Sequence, residues 1–177
     1  SLVGMPQRVP AQTIRLSSGK KQKIQQNLSL FNGMPLEKKI LTLIRQTYTD
    51  QLPESYEVRV VNRQIDIFPA LWMSFTREIV VEGEGLAVRE YRVSLKSGME
   101  PVRLTEQEFL RSELTNQPLA VAVDELLLSD GRHSRVFVVE RRDPDSPPPM
   151  IKQTVDKDSG NQNPAFQSVY EEGTDGP

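Results

Sequence analysis

At 177 residues the chain has room for one domain and is marginal for two. An apolar share of 37% with 13 prolines points to a compact core diluted by disordered ends. The absence of cysteine and the single histidine, His133, exclude disulfides, thiolate catalysis, cysteine-ligated zinc or iron–sulfur sites and a multi-histidine metal centre. The net charge of −2 hides an asymmetry. Residues 1–31 carry five cations and no carboxylate, whereas residues 143–177 carry seven carboxylates against two lysines. A basic arm often meets nucleic acid or an anionic surface, but here an acidic arm of equal charge shares the molecule and can attract it.

In chain order, residues 1–29 show no lasting periodicity and are expected to form a basic, disordered tail. Pro35 suits the first turn of a helix. Leu36, Ile40, Leu43 and Ile44 follow on one helical stripe, and Pro53 stops it. Tyr56, Val58 and Val60 alternate with Glu57 and Arg59, the pattern of a half-buried strand, and Asn62-Arg63 offers a turn into Ile65 and Ile67. Residues 70–81 are ambiguous until Ile79–Val81, which reads as strand. Glu82-Gly83-Glu84-Gly85 is turn chemistry, so a hairpin is expected over 76–95.

Thr105 and Glu108 form a capping box that predicts a short helix over 106–114. Leu119 to Val123 fits helix or strand. Leu126–Leu128, a turn at Ser129-Asp130-Gly131 and Arg135–Arg141 predict a second hairpin. After Arg142, Asp143-Pro144-Asp145-Ser146-Pro147-Pro148-Pro149 opens an extended Pro-rich and then acidic tail. The expected class is α+β: one mainly antiparallel sheet with helices packed on one face, over residues 30–142, between disordered tails at 1–29 and 143–177.

Few residues carry candidate chemistry. On the strand 86–95, Ala87, Arg89, Tyr91, Val93 and Leu95 share one face. If that face is the core, Arg89 is a buried guanidinium that needs a carboxylate or a ligand anion. Glu140 shares a face with Val136 and Val138 and is its natural partner, or an acid or base in a pocket. His133 and Ser134 adjoin in a turn, which provides neither a third group nor an oxyanion hole. Ser18-Gly19-Lys20-Lys21 lacks the first glycine and the preceding strand of a P-loop. Asp124 and Glu125 are neighbours and so point to opposite faces of a strand. In the tails, Arg15-Leu16-Ser17-Ser18 and Tyr170-Glu171-Glu172 have the form of phosphorylation sites at Ser18 and Tyr170, and Asn163-Pro164-Ala165-Phe166 is an NPxF string read by some adaptor domains.

The order of elements and several short strings resemble the chorismate lyase superfamily, which includes ligand-binding domains of bacterial regulators. The strings are Leu28-Ser29-Leu30-Phe31-Asn32-Gly33-Met34-Pro35 before the first helix, Val58 to Gln64, Arg89-Glu90, Gly98, Pro118-Leu119 and Arg132 to Glu140. Met34 and Pro35 stand where that family has Ser and Thr. The resemblance implies a buried pocket for a small carboxylate, with Arg89 gripping the anion, Met34 as a further ligand contact and Glu140 as a catalytic residue near the reacting centre.

The leading expectation is a non-enzymatic, cytoplasmic interaction domain that uses its sheet surface and charged tails, through a protein partner or self-association, with no metal, cofactor or membrane. A cofactor-free lyase or sensor for a small carboxylate is the alternative. Nucleic-acid contact by the basic arm ranks below both, because the core is acidic and the arm has no aromatic residue for base stacking. No apolar run reaches the roughly 18–20 residues that span a bilayer.

Overall fold

The computed structural model describes the backbone of residues 8–143 and the side chains of residues 19–143. Helix α1, Arg8–Leu30, occupies the stretch that sequence periodicity leaves unstructured. Its Gln, Lys, Arg and Leu residues are good helix formers, and its polarity all round hides the period. From residue 19 onward only Asn27 of α1 is buried. Helix α2, Leu36–Thr49, starts after Pro35 at φ −71°. The Pro35 carbonyl accepts the amides of Lys38 and Lys39. Asp50, left-handed at φ 59°, ends the helix three residues before Pro53. Leu43 and Thr47 are its fully buried residues, with Ile40 and Ile44 beside them, whereas Leu36 is 40% exposed.

Among the described residues seven strands follow: β1 Glu57–Ile65, β2 Leu71–Val81, β3 Leu86–Leu95, β4 Val102–Arg103, β5 Pro118–Val123, β6 Leu127–Leu128 and β7 His133–Arg141. Five of them make an antiparallel sheet in the order β1-β2-β3-β7-β5, and β4 pairs with β6 in a small ribbon. The α+β class and the 76–95 hairpin are observed, the latter as β2–β3. The second expected hairpin is not. Its β6 arm turns away to β4, and Ser134 Oγ exchanges hydrogen bonds with the Glu125 backbone, at 2.8 and 2.9 Å, instead of extending a ladder. The expected helix at 106–114 is one 3-10 turn, Glu106–Phe109, with only half of the capping box. There the Glu108 carboxylate accepts the Thr105 amide, which holds its pKa down, but burial outweighs this and raises it. Asn62-Arg63 does not break the chain: Asn62 sits at φ 50° inside a bulge of β1.

Bulges decide how this sheet is covered. Register shifts fall between Val60 and Arg63, between Phe75 and Arg77, and between Pro118 and Ala120. An extra residue in a strand reverses which face the following side chains take. In β2, Leu71, Met73 and Phe75 therefore join one core with Tyr91, Val93, Val136 and Val138, under Leu104, Phe109, Leu114 and Leu128. Beyond the bulge, Ile79 and Val81 join the opposite core with Val88, Phe137 and Val139, under Leu43 of α2 and Phe31. This reversal is why residues 70–81 have no single period.

The two cores sit diagonally, at opposite ends of the sheet on opposite faces. Arg77 ties α2 to its end, donating to Glu90 at 2.7 Å, to Asp50 at 2.8 Å and to the Thr47 carbonyl at 3.2 Å. A cation at a helix C-terminus also meets the favourable end of the helix dipole.

Candidate functional site

The diagonal arrangement leaves two quadrants of the sheet without an apolar cover. The first lies near the β2–β3 hairpin, on the face of Arg89. Cross-strand pairing sets Glu78 of β2 beside Arg89 of β3 and Arg59 of β1, and Ala87 beside Glu140 of β7. Arg89 Nε donates to Glu140 Oε2 at 3.0 Å, and its Nη2 lies 3.1 Å from Glu78 Oε2. Glu140 Oε1 accepts the Thr115 hydroxyl at 2.7 Å. Arg142 closes the ring onto Glu78 and lies 3.7 Å from Glu140, while Arg59 reaches the other Glu78 oxygen at 3.3 Å. The Arg89 guanidinium lies 5.0 Å from the centre of the Phe75 ring.

Arg89, Glu140 and Glu78 are only 2%, 2% and 4% exposed, so these charges live in a medium where an unpaired ion is costly. Here they are paired. Burial opposes ionisation of Glu78, but the Arg142 hydrogen bond and the charges of Arg89, Arg142 and Arg59 outweigh it, and its pKa is lowered. Burial likewise works against the Arg89 charge, yet Tyr91, Glu140 and Glu78 raise its pKa further. Tyr91, wholly buried, donates to the Leu114 carbonyl at 2.6 Å, and burial raises its phenol pKa.

The structure thus joins Arg89 to Glu140 as the strand-face argument expects. It adds Glu78, hidden from sequence reasoning because the β2 bulge shifts its face. Met34 is elsewhere: it packs half-buried against the core under α2, on the other face of the sheet from Arg89, with Thr42 Oγ1 3.9 Å from its sulfur. Ser18 lies in α1 with its side chain outside the described residues; Tyr170 and the NPxF string lie outside them altogether. His133 is the first residue of β7, opposite Ser94. Asp124 and Glu125 engage Arg135 and Arg132 at 3.7 and 3.8 Å. Among the described residues no group of three or more potential ligands is arranged for a metal, and no helix is long and apolar enough to cross a membrane.

The second quadrant lies at the far end of the sheet, on the α2 face but beyond α2. Trp72, Ser74, Arg92, Ser94, Arg135 and His133 share it by register. Trp72, the chain's single tryptophan, is 52% exposed, with the Lys96 ammonium 4.6 Å from the ring centre. Arg135 lies over Tyr48 at 4.7 Å, and Tyr48 is itself 47% exposed. Sequence reasoning passed over Trp72, although it alternates with Leu71, Met73 and Phe75 and so points away from their core.

Fold and sites together define an antiparallel α+β domain whose buried charges satisfy one another and whose aromatic residues are partly displayed. The model of the TraK C-terminal domain family matches residues 25–140, and the chain belongs to that family. This match overturns the chorismate lyase resemblance, which rested on strings too short to separate two antiparallel α+β folds. No curated protein and no solved structure matches the chain.

Proposed function

We propose that this chain is a non-enzymatic protein-interaction domain serving a conjugation-related assembly, and that it makes contact through the uncovered quadrant around Trp72. The observation that carries this reading is the half-exposed Trp72 under Lys96, beside Arg92 and Arg135, on a rigid sheet. Tryptophan, tyrosine and arginine dominate the energetics of protein interfaces, and sheet-borne side chains are already ordered before a partner arrives. Membership of the TraK C-terminal domain family supports a role in assembly.

The partner is a protein, either a different component or a second copy of the chain. Asp124 and Glu125 temper the cations of this surface, unlike the one-signed field that nucleic acid attracts. The cytoplasmic placement expected from sequence competes with a periplasmic one, where TraK-like proteins often reside; a cysteine-free chain suits either redox compartment.

The test is a photoreactive residue placed at position 72, and in parallel at Leu41, which is 61% exposed on α2. Position 72 is expected to cross-link to another component of the assembly or to a second copy, and position 41 is not. Equal yields at both positions would remove this surface from consideration.

A further inference from the structure

Cross-strand register arranges the quadrant around Trp72 as two rows on β2, β3 and β7. Trp72, Ser94 and His133 form the outer row, and Ser74, Arg92 and Arg135 the inner one. The inner row sets Arg92 directly opposite Arg135 on the neighbouring strand. Like charges so placed destabilise a sheet unless carboxylates offset them. Arg135 has such a partner. Asp124 lies 3.7 Å from its Nε, and its guanidinium also rests against the rings of Tyr48 and Phe137, at 4.7 and 5.3 Å. Arg92 is exposed and makes no ion pair among the described residues.

The carboxylates around Arg92 are engaged elsewhere or out of reach. Glu90, two residues back along β3 on the same face, accepts Arg77 Nε at 2.7 Å, and Asp50 accepts the same guanidinium at 2.8 Å. Asp124 serves Arg135, and Glu125 lies 3.8 Å from Arg132. Asp66, just past the end of β1, is two strands away from Arg92. Lys96 adds a second cation. Its ammonium lies 4.6 Å from the centre of the Trp72 ring and makes no ion pair among the described residues.

An unpaired arginine beside a half-exposed tryptophan fits a partner in which an acidic side chain adjoins an apolar one. The guanidinium fork matches the two oxygens of a carboxylate, and tryptophan supplies apolar contact area. Symmetry disfavours a second copy in this role. A two-fold interface sets one patch against itself, which here turns Arg92 and Lys96 toward their own counterparts, and opposed like charges are costly.

We propose that the Trp72 quadrant receives an acidic segment of a different protein, with Arg92 pairing a carboxylate of that segment and Trp72 covering an apolar side chain next to it. The inference rests on the Trp72 reading and extends it by naming the partner's chemistry and the residue that selects it.

The test places benzoylphenylalanine, itself a large aromatic side chain, at position 72 of the full chain in cells that carry the whole assembly. Arg92→Glu is expected to lower the cross-linking yield about tenfold or more, because carboxylates then face carboxylates. It is not expected to lower the melting temperature, because it sets an opposite charge across from Arg135. Lys38→Glu, an equal change of charge on an exposed residue at the start of α2, is expected to keep the full yield. The cross-linked segment, mapped by mass spectrometry, is expected to belong to another protein and to carry Asp or Glu beside the point of attachment. Undiminished yield in Arg92→Glu, an equal drop in Lys38→Glu, or a segment that lacks carboxylates or comes from a second copy overturns this inference and leaves the Trp72 contact standing. A lower melting temperature in Arg92→Glu overturns it too, by giving Arg92 a role in the fold. A nuclease-sensitive product, or a yield at position 72 no higher than at position 41, overturns the Trp72 reading and this inference together.

Discussion

At the scale of single residues, the buried cluster explains how this sheet tolerates charge in its interior. Arg89 serves Glu140 and Glu78 at once, so removing it leaves Glu140 with only the Thr115 hydroxyl and Arg142 at 3.7 Å, and Glu78 with Arg142 and Arg59. Breaking a buried pair from one side typically costs about 3–5 kcal/mol. Arg89→Ala is expected to lower the urea-unfolding free energy by that order, and a loss below about 1 kcal/mol would show that the pairing contributes little.

Glu78 adds a pH dependence of definite sign. Its folded pKa lies below the ordinary carboxylate value, so it stabilises the protein fully above that value. The contribution fades as pH falls from about 5 through the folded pKa. Unfolding midpoints measured from pH 6 to pH 3 are expected to decline, and Glu78→Gln is expected to flatten the decline. Here the sequence is half legible. Alternation along β3 and β7 puts Arg89 and Glu140 inside, but Glu78 follows a bulge at which alternation fails.

At the scale of elements, the same lesson applies to whole strands. Where one period runs unbroken, as in β3 or in α2 after Leu36, hydrophobic spacing places the element. Where pairing depends on distant partners, it does not. Nothing local in Leu127–Leu128 says that they join Val102–Arg103 and not the neighbouring β7.

Helix α1 is a further case, since its attachment is made by few contacts. Asn27 Nδ2 donates to the Glu82 carbonyl at 2.9 Å and to that of Ser55 at 3.4 Å. Ile24 lies against Gly83, where an added Cβ would come within 2.7 Å of its Cγ2, and Gly83 holds φ +95°. A side chain there meets both a clash and a backbone penalty of about 1–2 kcal/mol. Gly83→Ala is therefore expected to loosen α1, seen as faster hydrogen exchange in residues 19–30 with β3 and β7 still protected. Uniform protection across the variant would mean that α1 is held by other contacts.

At the scale of the whole molecule, one quadrant of the sheet that lacks an apolar cover is filled by buried, paired charges and the other displays Trp72. Lys20 of α1 lines a groove that also holds Glu82, Arg142 and Asp143, the last described residue. On the proposed function, the quadrant with the half-exposed Trp72 is the one that meets a partner. Salt at 1 M shortens the screening length to about 3 Å, so an exposed ion pair such as Lys20–Glu82 should weaken in high salt more than contacts made by Trp72.

On the proposed function, the Trp72 surface serves assembly and is not required for folding. The most direct test is the frequency of conjugative transfer in cells whose only copy of this chain carries Trp72→Glu, with thermal melting measured on the same variant. Trp72 is half exposed, and its contact with Lys96 is of a kind worth about 0.5–1 kcal/mol, so melting is expected to move by only a few degrees. Transfer is expected to fall at least tenfold. Wild-type transfer from a protein that folds normally would contradict the account.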